Sequence, residues 1–128
     1  MTPRVRTLLL VGAVNGLLYV LLSAFAAHGL KNIASAEQLA WFKTAAHYQG
    51  IHALALLATG VLLQQFAKTS FYVSGLLMLL GIVVFSGSLY AMALGAPRWF
   101  GAITPIGGVS LIAGWLYMLV GLMRTEIL

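Results

Sequence analysis

Residues 44–64 read TAAHYQGIHALALLATGVLLQ, and this stretch constrains the chain more than any other. At about 1.5 Å per residue, its 21 positions reach roughly 30 Å, the thickness of a hydrocarbon core. It also carries two of the three histidines, His47 and His52. An ionisable ring is costly in lipid, so at this depth it is expected to face protein or water. Three more apolar runs of similar length accompany it, at residues 7–27, 71–94 and 104–123. The expected fold is therefore an all-α membrane protein, one domain over residues 1–128, built as an antiparallel bundle of four transmembrane helices.

Composition closes the other routes. Of 128 residues, 62% are hydrophobic and 7% are charged. A soluble domain this small cannot bury so much apolar surface, so lipid is the expected solvent and partner. Without cysteine, disulfides and thiolate-ligated metal or iron–sulfur sites are excluded. The net charge of +5 comes from seven scattered cations that form no run, which argues against nucleic acid as a partner. Arg4 and Arg6, followed by an apolar run and Ala24-Phe25-Ala26, have the outline of a cleaved signal peptide. The run has spanning length, however, which favours a first span. Arg4, Arg6, Lys68 and Arg124 fall on one side of the membrane and Lys31, Lys43 and Arg98 on the other. Four against three places both termini in the cytoplasm of a bacterial plasma (inner) membrane.

Local signals set the helix starts. Ser35 and Gln38 have capping-box spacing, so the second helix should begin near Ala36 and enter the membrane without a break. Thr104-Pro105 reads as an N-cap followed by a first helical residue. Small residues recur every seven positions: Gly16 and Ser23; Ala46, Ala53 and Gly60; Ser74, Gly81, Ser88 and Gly95; Gly107, Gly114 and Gly121. Such stripes let helices approach closely and cross in a left-handed bundle. Gly12 and Gly16 add a GxxxG pair, suited to packing inside the bundle or to a dimer. The stripes point Asn15, Gln49, His52 and Thr59 inward, with Ser88 on the third stripe. Ser86 lies off it and should bond its own backbone one turn back. His47 and Tyr48 turn outward.

These residues recur as motifs. Asn15-Gly16, Phe25-Ala26-Ala27-His28-Gly29-Leu30, Tyr48-Gln49 and His52-Ala53-Leu54-Ala55-Leu56-Leu57 lie in the first half. Phe85-Ser86-Gly87-Ser88-Leu89-Tyr90, Thr104-Pro105-Ile106-Gly107-Gly108 and Gly114-Trp115 follow. Together they resemble the bacterial membrane-protein family catalogued as domain of unknown function 423, which has eukaryotic relatives. Ala26 stands where that family often has glycine, and His47 is outside its motif. The resemblance implies a four-span membrane protein without an established activity.

The polar motif residues His28, Gln49, His52, Ser86, Ser88, Tyr90 and Asn15 are the candidate ligand or polar-network residues. Most fall toward the face of the first and third loops, with Lys31, Lys43 and Arg98 at its mouth. One reading is interhelical hydrogen bonding, worth about 0.6 kcal/mol per contact. On this reading His52 bonds Asn15, Gln49 or Ser88, in a ladder Asn15–His52–Ser88. The other is a site for a quinone or lipid headgroup around His52, Gln49, Ser88 and Tyr90. Haem needs axial ligands at matched depth, for which only His28 and His47 qualify. Zinc would have three histidines and no acid or thiol, and neither cofactor is expected. Glu37 and Glu126 are the only acids and both lie outside the spans, so no carboxylate is placed to exchange protons or to orient a catalytic histidine. No catalytic residue or metal ligand is expected. The function read from the chain is that of a non-enzymatic accessory or scaffold protein, in a homo-oligomer or larger membrane complex. The alternative is a binding protein for a small amphipathic ligand, quinone or lipid, at the outer half of the bundle.

Overall fold

The computed structural model describes residues 1–126; Ile127 and Leu128, which end the expected tail and domain, lie outside the described residues. Four long helices cross back and forth. The first runs Pro3–His28, and Thr2 caps it by accepting from the Val5 amide at 3.2 Å. The second runs Ala36–Phe66. Its capping box forms as expected: Gln38 N donates to Ser35 Oγ (3.1 Å), and Ser35 N donates to Gln38 Oε1 (3.0 Å). Ala67, in a left-handed conformation, ends it and permits an immediate turn. The third helix spans Thr69–Ala93, and the fourth runs Thr104–Met123. All four are long and apolar enough to cross a membrane.

The bundle is ordered by polarity. The second helix is the least apolar of the four and the most enclosed: 56% of its spanning window is buried, against 17% for the first helix. Polar side chains seek protein partners where no water is present, so the helix that carries them sits inside. The outer helices present Val14, Leu17, Val20, Ile112 and Leu119 outward.

Neighbouring helices are antiparallel. Gly60 lies against Leu9 and Gly50 against Tyr19, which aligns the first helix with the second. Gly121 faces Phe71, Gly114 faces Met78 and Gly107 faces Phe85, which aligns the third with the fourth. Val5, Leu8, Leu56, Phe71 and Met78 fill the end nearest the termini. Ala26, Leu30, Phe42 and Ala93 close the opposite end.

Two expectations are corrected here. Gly16 is not a contact residue. Nothing stands within 4 Å of where its Cβ would be. The buried face of the first helix runs Val5, Leu8, Gly12 and Asn15, so Gly12 alone of the GxxxG pair touches the second helix, at Leu57. Thr104 is not an N-cap either. A 3-10 turn over Arg98–Ala102 leads into the fourth helix, and Thr104 Oγ1 donates back to Phe100 O at 3.3 Å.

Candidate functional site

The third helix contains one irregular turn. Over Ile82–Ser86 it widens to a π turn, where the Gly87 amide reaches back to Ile82 O. The extra residue pushes the Phe85 backbone outward. Gly107 of the fourth helix leaves room for it, since a Cβ there would lie 2.3 Å from Phe85 N. The same turn aims Ser86 at the second helix. Ser86 Oγ donates to Ala45 O at 2.8 Å, rather than to its own backbone as expected.

One continuous relay joins three helices. The Tyr90 hydroxyl donates to Gln49 Oε1 (2.7 Å), Gln49 Nε2 donates to Asn15 Oδ1 (2.9 Å), and Asn15 Nδ2 donates to Val11 O (2.8 Å). Each of the two amides accepts from one neighbour and donates to the next, so the direction of both is set by the chain. Gln49 and Asn15 are buried, and the Tyr90 ring lies edge-on to Phe42 at 4.8 Å.

His52 is buried too, but outside that relay. Trp115 Nε1 donates to His52 Nε2 at 3.0 Å, and His52 Nδ1 bonds Tyr48 O at 2.7 Å. An indole N–H can only donate and a carbonyl can only accept, so the proton sits on Nδ1 and the ring is neutral. The expected ladder Asn15–His52–Ser88 therefore does not form. Gln49 takes Asn15, Trp115 takes His52, and Ser88 Oγ shares a 2.6 Å bond with Thr104 Oγ1. Helix rotation explains this: Asn15 and Gln49 occupy the first–second contact, whereas His52 is turned toward the fourth helix. His28 stays exposed at the end of its helix, and its carbonyl accepts from Asn32 Nδ2.

This arrangement leaves His52 no free nitrogen to act as a base. Neither Ser86 nor Ser88 hydrogen-bonds to it. Among the described residues, no buried side-chain nitrogen or oxygen lacks a partner, and no three metal-binding side chains gather. Arg98, expected at the mouth of a site, pairs with Glu37 at 2.8 Å and covers the Trp41 ring at 5.5 Å. Lys43 instead lines an open groove between the first and second helices, with Tyr19, Ser23 and His47.

Several partners escaped the sequence reading. Trp115 is flagged by its place beside stripe residue Gly114 and by the Gly114-Trp115 motif, neither of which names His52 as its partner. Ser74 sits on a stripe, yet its bond to Gly114 O (2.6 Å) depends on the facing helix, as does that of Ser110 to Leu77 O (2.7 Å). Tyr19, Ser23 and Lys43 carry no local pattern that groups them.

Comparison with known proteins places the chain in a family. Residues 22–108 match the model of the protein family of unknown function DUF423. The UPF0382 inner membrane protein YgdD of Escherichia coli strain K12 is 43% identical over 121 residues, covering 94% of this chain and 92% of that protein. A UPF0382 membrane protein of Staphylococcus saprophyticus is 46% identical over 118 residues, covering 91% and 96%. No solved structure matches. The chain belongs to the DUF423 family of membrane proteins.

Proposed function

We propose that this DUF423 protein is a non-enzymatic scaffold or accessory subunit, packed against itself or a larger partner in the bacterial plasma membrane. One observation carries the reading: the polar interior is self-satisfied. Every buried polar side chain among the described residues is hydrogen-bonded within the bundle. A site that awaits a substrate keeps polar groups aimed at the space the substrate will fill. Here such groups bind one another, and what remains for interaction is the outward surface of the helices. None of the grooves at residues such as Tyr19, Ala67, Tyr117 or Phe66 is lined by His52, Gln49, Ser88 or Tyr90.

We further propose that both termini lie in the cytoplasm. The four-to-three cation bias supports this direction, and Lys68 Nζ bonds Arg124 O at the terminal end of the bundle.

Photocrosslinking tests the scaffold. Photoreactive residues at Val14, Leu17 and Ile112, all outward-facing, should give one discrete cross-linked species in native membranes. Labelling of lipid alone at all three positions would refute it. His52→Phe should leave that species unchanged, because both hydrogen bonds of His52 stay inside the bundle.

A further inference from the structure

Lys43 and His47 stand one turn apart on the second helix. With Tyr19, Ser23 and Ala27 of the first helix, and with Ala46, they line an open groove of about 290 Å³. Three alanines, Ala26, Ala27 and Ala46, and a serine leave its floor shallow, so nothing from the protein fills it. Lys43, His47, Tyr19 and Ser23 are the lining residues that carry polar groups.

Lys43 has no acid to meet. Among the described residues the single ion pair is Arg98–Glu37, and Glu126 follows the fourth helix at the other end of the bundle. The depth of the groove is equally informative. The second helix has 31 residues, or roughly 46 Å, which exceeds a hydrocarbon core by about 16 Å. Shared between both ends, that excess leaves about 8 Å of helix in each headgroup layer. Lys43 lies roughly 10 Å beyond Ala36, at the inner edge of that layer. Tyr19 continues the groove toward the hydrocarbon.

We infer that this groove binds the phosphate headgroup of an anionic phospholipid. Lys43 pairs with the phosphate, Ser23 and Tyr19 offer hydroxyl hydrogens, and the acyl chains run down the first helix past Tyr19. A fixed cation beside lipid favours an anion there, and the surrounding donors turn general attraction into a site. This inference stands independently of the scaffold reading, since a scaffold can carry a structural lipid and a binder need not assemble.

Native mass spectrometry of protein in micelles supplied with equal amounts of dioleoylphosphatidylglycerol and dioleoylphosphatidylcholine provides the test. The wild-type chain should retain the anionic phosphatidylglycerol preferentially over the zwitterionic phosphatidylcholine. Lys43→Gln should lower retention about fivefold, the scale expected for one cation at a lipid surface. Lys43→Arg should restore it. Ala27→Leu, which fills the groove and keeps every charge, should lower retention at least as much as Lys43→Gln. Lys31→Gln, a charge loss outside the groove, should leave it unchanged. Equal retention of the two lipids, an equal loss from Lys31→Gln, or undiminished binding in Ala27→Leu would each overturn the proposal. Displacement of the lipid by inorganic phosphate would overturn it too, by making free phosphate the ligand.

Discussion

The seam between the third and fourth helices differs from the seam between the first and second. In the former, the two backbones meet at Gly107 and Gly114, while Gly81 and Gly121 face the side chains of Leu111 and Phe71. A Cβ on Gly107 would lie 2.3 Å from Phe85 N and 2.7 Å from its Cα, and one on Gly114 would lie 3.1 Å from Ser74 O. Ser74 and Ser110 then bond carbonyls across the gap. In the latter, side chains mediate at Gly50 and Gly60, and Gly12 alone comes near backbone, 3.1 Å from Leu57 N for a Cβ there. A Cβ on Gly60 would meet the tip of Leu9, and one on Gly50 the ring of Tyr19. Glycine is common to both seams, but what it meets differs. A displaced side chain has other rotamers; a displaced backbone takes its hydrogen bonds with it. The first–second seam is therefore the adaptable one, and it is also the seam with the lysine-lined groove.

Four substitutions can break or sharpen this contrast, each read as stability in thermal and chemical melts of the detergent-solubilised protein. Gly107→Ala should be the most damaging. Its methyl group collides with the π turn, and about 2 kcal/mol should be lost. A variant as stable as wild type would remove the basis for calling this seam rigid. Gln49→Leu comes next. It deprives Tyr90 and Asn15 of their partners at once, at a cost of about 1 kcal/mol for two interhelical bonds. An unaltered melt would mean that the relay adds nothing to the adaptable seam.

Gly60→Ala should change stability by no more than about 0.5 kcal/mol, because Leu9 can move aside. A loss equal to that of Gly107→Ala would erase the distinction between the seams. Gly16→Ala should do least, with no measurable loss, since its Cβ enters open space and alanine favours helix. A clear drop there would restore the seven-residue stripe on the first helix. Gly95 is not a neutral control for such a series. Its φ of +110° lies in the region that L side chains rarely adopt, so a larger residue strains the turn even though nothing crowds it.

Much of the architecture was legible from the chain. Ser35 and Gln38 placed the start of the second helix, because a capping box is a local interaction. The inward direction of Asn15, Gln49, His52 and Thr59 followed from their positions beside small residues, and all four are buried. The pairings among them were not legible. Asn15 and His52 share the bundle interior but face different helices, so proximity in depth did not make them partners. Ser86 illustrates the same limit: its bond to Ala45 O requires a π turn that no spacing announced.

The sequence by itself determined the solvent, the number of spans and the family, because apolar length, scattered cations and motif residues are properties of one chain read locally. Only the tertiary structure decided which glycines meet backbone, which carbonyl each hydroxyl finds, and that Lys43 and His47 line a groove with Tyr19 and Ser23. Those facts depend on how each helix is rotated and shifted against its neighbours. Rotation by one position turns a side chain by about 100° while leaving composition and period unchanged, so it is settled only when all four helices pack together.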